Sequence, residues 1–306
     1  MKRGVNIILL FALVFFAACE KAGDKPQVVD LKKRSPIPRR NGVVDETPPF
    51  RIAIGAMISP RETVKVYGEL AEYIGKKLGR DVEIIQRKTY SEINEMVKEE
   101  SVDAAFVCSG PYVEGRREFG MEIVAAPVVN GSPLYHAYFI ARKNSGIKGI
   151  EDLRGRRFAF TDPKSNTGAL VPRYVISKMG ETPETYFGSI IYTYSHDASI
   201  KAVSDGIVDA ASVDSLIYDY YKRFNPSFVE KTEVVYRSPA YGIPPVVVNP
   251  KAPAVLKMKL REVLLGMDRD EEGRKILARL NIDRFVVPDE SIYDSVREME
   301  EWLRKR

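Results

Sequence analysis

The chain has 306 residues, 44% hydrophobic and 29% charged, with 21 Gly and 19 Pro, a composition that excludes fibrous, low-complexity and disulfide-dense proteins. The net charge of +5 points first to nucleic acid, but residues 1–18 hold Lys2, Arg3 and no acid, and residues 20–49 hold seven basic against five acidic residues, leaving 38 basic and 37 acidic in 50–306. A body so close to neutral has no bulk attraction for polyphosphate, so nucleic acid is not an expected partner.

Lys2 and Arg3 precede an unbroken apolar run from Ile7 to Ala18 and then Cys19, the plan of a secretory signal peptide. Twelve apolar residues are too few for a transmembrane helix, which needs about 20. Phe16-Ala17-Ala18-Cys19 resembles a bacterial lipobox, with Phe16 where Leu is usual; it implies removal of residues 1–18 and lipidation of Cys19, the only expected membrane attachment. Glu20 to Pro49 carries five Pro, twelve charges and no aromatic residue, too little apolar surface to order itself, and is expected to be a tether. With Cys19 lipidated, Cys108 is left alone, so no disulfide is expected, and the apolar run before it favours a small buried core residue.

From Phe50 the periodicity alternates. Arg51–Met57 reads as a strand; Ser59-Pro60 opens a helix with apolar Val64, Tyr67, Ala71, Ile74 and Leu78; Asp81–Gln86 is a strand, Ser91–Glu100 a helix capped by Ser91, and Val102–Val107 a buried strand. A short helix and strands at Glu122–Ala126 and His136–Ala141 follow. A second unit runs through strands Arg157–Thr161, Ser189–Tyr194 and Val208–Val213, each leading into a helix: Gly168–Met179, Ser199–Asp205 and Ser215–Phe224. Pro239 to Pro245 forms an extended crossing, then a strand at Val246–Val248 and helices near Ala254–Met267, Glu271–Leu280 and Ser291–Arg304 that pack back on the first unit, with Trp302 as a docking residue. Strand–helix alternation predicts α/β architecture with mainly parallel sheets flanked by helices. No internal repeat or low-complexity tract interrupts the body.

Two polar strand-to-helix turns carry the chemistry. Thr161-Asp162-Pro163-Lys164-Ser165-Asn166-Thr167-Gly168 places Ser165, Asn166 and Thr167 at a helix start, where unpaired N–H groups and about half a positive charge hold an oxyanion without a basic side chain. An ordinary N-cap would use the same residues. Tyr192 to Ser199 repeats the arrangement and contains His196, one of two histidines in the chain, at a strand's C-terminal end where open α/β sheets place ligands. Its imidazole can donate to an oxyanion. His136, inside an apolar run, is expected to be structural.

These residues resemble the periplasmic phosphonate, phosphite and phosphate substrate-binding proteins of ABC importers, with the type II binding-protein fold. The likeness runs from about Phe50 to Val248 and rests on Asp162-Pro163-x-Ser165-x-Thr167-Gly168, Ser195-His196-Asp197, Gly149-Ile150-x-Asp152-Leu153-x-Gly155, Ala105-Phe106-Val107 before Gly110-Pro111-Tyr112, Gly206-x-Val208-Asp209-Ala210 and Gly242-Ile243-Pro244-Pro245. It implies two lobes, 50–134 with 246–306 and 135–245, joined by two crossovers and closing on a small anion. It further implies ligand contacts from Ser165, Asn166, Thr167, His196 and Tyr90, with Asp214 accepting a proton from a ligand oxygen, because two bare anions repel. Ser109 and Tyr112 would line the first-lobe side, although Tyr112 would equally suit packing of the following helix. Two departures stand out: Ile243-Pro244-Pro245 occupies the return crossover, where phosphonate binders can carry a second carboxylate, and Asn166 replaces a hydroxyl residue.

The reading that follows is a lipid-anchored, exported, monomeric receptor that hands its anion to a permease driven by a separate ATPase subunit. A binding or sensory protein for another small polar metabolite is the alternative. An exported hydrolase using His196 is disfavoured, because no Gly-x-Ser-x-Gly elbow occurs and the adjacent Asp197 is badly placed to orient the ring. Two isolated histidines and one free thiol offer no zinc spacing, and no Gly-rich nucleotide loop is present, so neither metal nor cofactor is expected.

Overall fold

The computed structural model describes residues 48–306; the leader, Cys19 and the tether lie outside them. Lobe 1 begins with β1 (Phe50–Ile54), α1 (Pro60–Leu78), β2 (Val82–Gln86), α2 (Tyr90–Lys98), β3 (Ala104–Phe106), α3 (Ser109–Phe119) and β4 (Glu122–Val128). Pro60 supplies a preset φ at the start of α1, and Gly79 ends it in the left-handed conformation at φ 66°. Helix α2 starts one residue before the predicted Ser91. Thr89 is its cap, accepting the Glu92 N–H while the Glu92 carboxylate accepts the Thr89 N–H, a reciprocal pair that Ser91 cannot form.

The chain leaves lobe 1 through β5 (Leu134–Tyr135). It then builds β6 (Ala137–Arg142), β7 (Arg157–Phe160), α4 (Val171–Lys178), α5 (Pro183–Tyr186), β8 (Ser189–Tyr192), α6 (His196–Ser204), β9 (Ala210–Asp214), α7 (Ser215–Phe224) and β10 (Thr232–Arg237). It returns through β11 (Tyr241–Gly242), paired antiparallel with β5, to β12 (Val246–Val248), α8 (Ala254–Leu265), α9 (Glu271–Leu280), β13 (Arg284–Val286) and α10 (Asp294–Arg304).

The sheets have the orders β13-β4-β12-β3-β1-β2 and β10-β6-β9-β7-β8. Each is mixed rather than mainly parallel. Only β2-β1-β3 and β8-β7-β9 run parallel, because β12 and β6 enter from a crossover and insert antiparallel to their neighbours. Burial on both faces explains the apolar runs: Ile52, Ala53, Phe158, Ala159 and Val246 are fully covered. One apolar cluster continues from Phe50 and Ile52 of β1 to Ile200 of α6 and Val213 of β9, so the lobes lie closed against each other.

Helices α8 and α9 pack on α1, as the sequence predicts, but α10 touches both lobes through α3 and α4. Its Trp302 indole N–H donates to Ser177 Oγ at 3.1 Å and its ring meets Tyr174 edge-on. Among the described residues, no helix is long and apolar enough to cross a membrane.

Candidate functional site

The C-terminal ends of the parallel strands in both lobes meet at the interlobe seam. From β7 the chain passes Asp162 and Pro163 to Ser165, whose Oγ accepts the Gly168 N–H at 3.0 Å as a helix cap. The Ser165 carbonyl accepts both the Ala169 and Leu170 N–H groups, at 3.1 and 2.9 Å, so Asn166–Leu170 winds as a wide π turn before α4. Only glycine fits at 168, since a Cβ there would lie 1.7 Å from Thr161 Oγ1. The turn is therefore self-capped in part, but it faces the seam and not bulk water: Ser165, Asn166 and Thr167 are fully buried.

His196 opens α6 behind the Ser195 cap and is fully buried. Its Nδ1 accepts the Asp214 N–H at 3.0 Å. A nitrogen that accepts carries no hydrogen, so the proton sits on Nε2, and burial holds the ring neutral by lowering its pKa to about 3. Asp214 ends β9 and caps α7, its Oδ1 accepting the Leu216 N–H at 2.7 Å. Burial raises its carboxyl to about 7. Across the seam its charge is felt by Tyr67, Tyr90, Cys108 and Tyr135.

From lobe 1, Tyr90 opens α2 with its ring buried and its hydroxyl held well above the usual tyrosine range, chiefly by burial. Seven buried side-chain polar atoms among the described residues lack a hydrogen-bond partner, and four of them are Tyr90 Oη, Asn166 Oδ1, Thr167 Oγ1 and His196 Nε2. A fifth, Thr161 Oγ1, stands against Gly168. Each unpaired buried group costs about 1–3 kcal/mol, so such a concentration at one seam needs a partner to explain it. The set offers a neutral N–H, hydroxyls including the still-unused Ser165 hydrogen, and the acceptors Asn166 and Asp214. It suits an oxyanion that keeps a proton. Among the described residues no group of side chains could hold a metal ion.

The other predicted residues are placed differently. Ser109 donates to the Gly242 carbonyl at 2.6 Å and lies 3.2 Å from the Tyr135 hydroxyl, which also accepts the Asn166 Nδ2–H at 3.1 Å. Its hydroxyl thus joins lobe 1 to both crossovers. Tyr112 does not join the group. Its ring packs on Tyr293 at 4.7 Å, and its hydroxyl senses Glu290, Arg116 and Arg297, because α3 turns that face toward the C-terminal segment. Cys108 is buried as expected, with its thiol 3.5 Å from the Asn166 N–H.

Tyr135 and Tyr67 were not predicted. Tyr67 lies in an apolar helical stripe that reads as core, and it does pack on Phe106, 5.5 Å between ring centroids. Tyr135 sits in a two-residue strand with no periodicity to flag it. His136 is structural, its ring between the Ser238 carbonyl at 2.8 Å and Arg237 at 2.6 Å. A separate open hollow of about 350 Å³ beside the crossovers is lined by Tyr135, His136, Asp219 and Arg237, and it shares only Tyr135 with the seam. The buried unpaired polar atoms mark the seam as the candidate site.

Comparisons with known proteins agree with this fold. A family model described as the periplasmic substrate-binding protein of a phosphonate ABC transporter matches residues 52–293. A probable ABC transporter phosphite binding protein of Prochlorococcus marinus is 25% identical over 183 residues, 56% of this chain and 62% of that one. The phosphonates-binding periplasmic protein of Escherichia coli is 26% identical over 210 residues, 67% of this chain and again 62% of the relative. The chain therefore spans under two thirds of the length of these curated relatives. In structure, the binding-protein component of an ABC phosphonate transporter from Pseudomonas aeruginosa superposes with a TM-score of 0.78 at 25% identity, covering 83% of this chain and 85% of that one. With two lobes, two crossovers and a family match over most of its length, the chain belongs to the phosphonate-type periplasmic substrate-binding proteins of ABC transporters.

Proposed function

We propose that the protein is the extracytoplasmic receptor of an ABC importer and binds one small tetrahedral oxyanion, a phosphonate, phosphite or phosphate, between its lobes. The observation that carries this is the cluster of fully buried, unpartnered neutral donors contributed by both lobes. In this reading Ser165, Thr167, His196 Nε2–H and Tyr90 donate to the anion, Asp214 accepts from its remaining proton, and Asn166 is a further contact from the turn. Ser109 acts through Tyr135 rather than by touching the ligand. The protein performs no reaction: it binds as a monomer, is held to a membrane by lipid on Cys19, and passes its ligand to a permease and its ATPase subunit.

The relatives' names support the ligand class and the transport role. The neutral donor set supports an anion taken with a proton still attached, because among the described residues no buried lysine or arginine stands in it and the nearby Lys164 is already paired with Glu114. Calorimetric titration with methylphosphonate, phosphite, phosphate and sulfate tests the reading. One of the first three should bind, sulfate should not, and His196→Ala should weaken the hit about tenfold to a hundredfold, the worth of one hydrogen bond to a charged group. Unchanged affinity in His196→Ala, or preference for sulfate, would overturn it.

A further inference from the structure

Residues beside the candidate contacts join the lobes. Asp197 follows His196 in α6, and its Oδ1 accepts the Ser59 N–H of lobe 1 at 3.0 Å, while the His196 N–H donates to the Met57 carbonyl at 3.0 Å. Ser59 is the cap position of the 19-residue α1, yet its own side chain caps nothing. On the other side of the site, Asp162 Oδ2 accepts the N–H of Tyr90, the first residue of α2, at 3.1 Å. Asp162 is 1% exposed and Asp197 is 7% exposed. A carboxylate is stabilised at the amino end of a helix by the aligned peptide dipoles, so both contacts favour the lobes being together.

Each contact lies within one residue of a candidate ligand group. Asp197 adjoins His196, and Asp162 grips the backbone of the same Tyr90 whose hydroxyl faces the site. The two carboxylates also occupy the helix ends at which a free anion would otherwise be attracted, which leaves the ligand to the donors of lobe 2 and to Tyr90.

We propose that Asp197 and Asp162 are closure-positioning residues that do not touch the ligand: each seats on the amino end of a lobe 1 helix when the lobes meet, and together they set how long a bound anion is held. This rests on the binding function proposed above. Loss of either contact destabilises the closed form, so it accelerates release.

The partner of Asp197 is a backbone amide, and it can be removed without touching the carboxylate. Ser59 has φ −57°, within proline's range, and Ser59→Pro deletes the N–H while keeping the carbonyl that accepts from Thr63. Release of methylphosphonate and of inorganic phosphate is followed by stopped flow in the full chain. Ser59→Pro and Asp197→Ala should each speed dissociation about tenfold or more, and the double variant should be no faster than either single one, because both remove the same contact. Asp162→Asn, which retains the side-chain shape, should also speed release. Unchanged dissociation in the single variants, or effects that multiply in the double, would overturn the proposal.

A wild-type protein that binds none of the probes would refute the functional reading and not this one. The interlobe distance in the free protein, measured between labels on α2 and α4, then decides: it should widen in Asp197→Ala, and an unchanged distance would overturn the closure role. Should Ser59→Pro not fold, Asp197→Asn and Asp197→Ala carry the same test.

Discussion

The two lobes share one plan, three parallel strands each running into a helix at the seam, but they use those helix starts in opposite ways. Lobe 2 turns side chains inward: the Ser165–Thr167 turn after β7, His196 after β8 and Asp214 after β9 all present buried polar atoms to the site. Lobe 1 contributes Tyr90 and otherwise offers backbone, with the Ser59 and Tyr90 N–H groups taken by lobe 2 carboxylates and the Cys108 thiol against Asn166. In the binding function proposed above, the same local architecture serves as binder on one side and cover on the other, and what separates them is which helix ends are already occupied.

The largest effect that would sharpen this contrast is electrostatic and belongs to lobe 2. An unfolded Asp titrates at 3.8 and folded Asp214 at about 7, so the folded state holds the extra proton between those values and stability falls as pH rises through that window. His196 acts the other way. With its pKa lowered from 6.5 to about 3, it costs stability as pH drops below 6.5, and the two nearly cancel in mildly acidic solution. Asp214→Asn keeps the Oδ1 acceptor for Leu216 and removes only the first contribution. Its stability gain over wild type should be near zero at about pH 4, grow toward pH 7 and level off, reaching at most about 4 kcal/mol for three decades of proton affinity. Thermal denaturation across that range checks it, and a pH-independent difference would show that Asp214 does not titrate there.

A smaller effect tests the binder's rigidity. Gly168→Ala drives a Cβ into the β-branched Thr161, the residue after β7, to within 2.7 Å of its Cβ and 2.8 Å of its Cγ2. It should cost about 3 kcal/mol or more of folding stability, read as a lowered denaturation midpoint.

The smallest probes the cover. A Cβ on Gly110 of α3 would lie 2.6 Å from the Lys164 carbonyl in the opposite lobe, a clash that exists only when the lobes are shut. Gly110→Ala should push the lobes apart, read as a wider interlobe distance in the free protein, and weaken ligand affinity about tenfold. A large loss of stability with unchanged affinity would place Gly110 in a lobe core instead.

Much of the turn geometry of lobe 2 was legible in the sequence. Ser165 and Ser195 each lie three residues before the amide they cap, Gly168 and His196 sit at strand-to-helix turns, and such short-range patterns survive in any tertiary setting. The cover was not legible. Tyr112 and Tyr67 both fall in helical stripes, and only packing against Tyr293 sends the first away from the seam while the charge of Asp214 reaches the second. Ser91 reads as the cap of α2, but the reciprocal bond between Thr89 and Glu92 places the cap two residues earlier.

The sequence by itself determined two alternating α/β units, the near-neutral body and the capped turns at Ser165 and Ser195, because periodicity, charge count and helix caps are local properties of the chain. Only the tertiary structure decided which helix ends stay free for a ligand, since the Ser59–Asp197 and Tyr90–Asp162 contacts join residues 138 and 72 positions apart. Pairings at that separation arise from the meeting of two lobes and leave no spacing in the sequence to read.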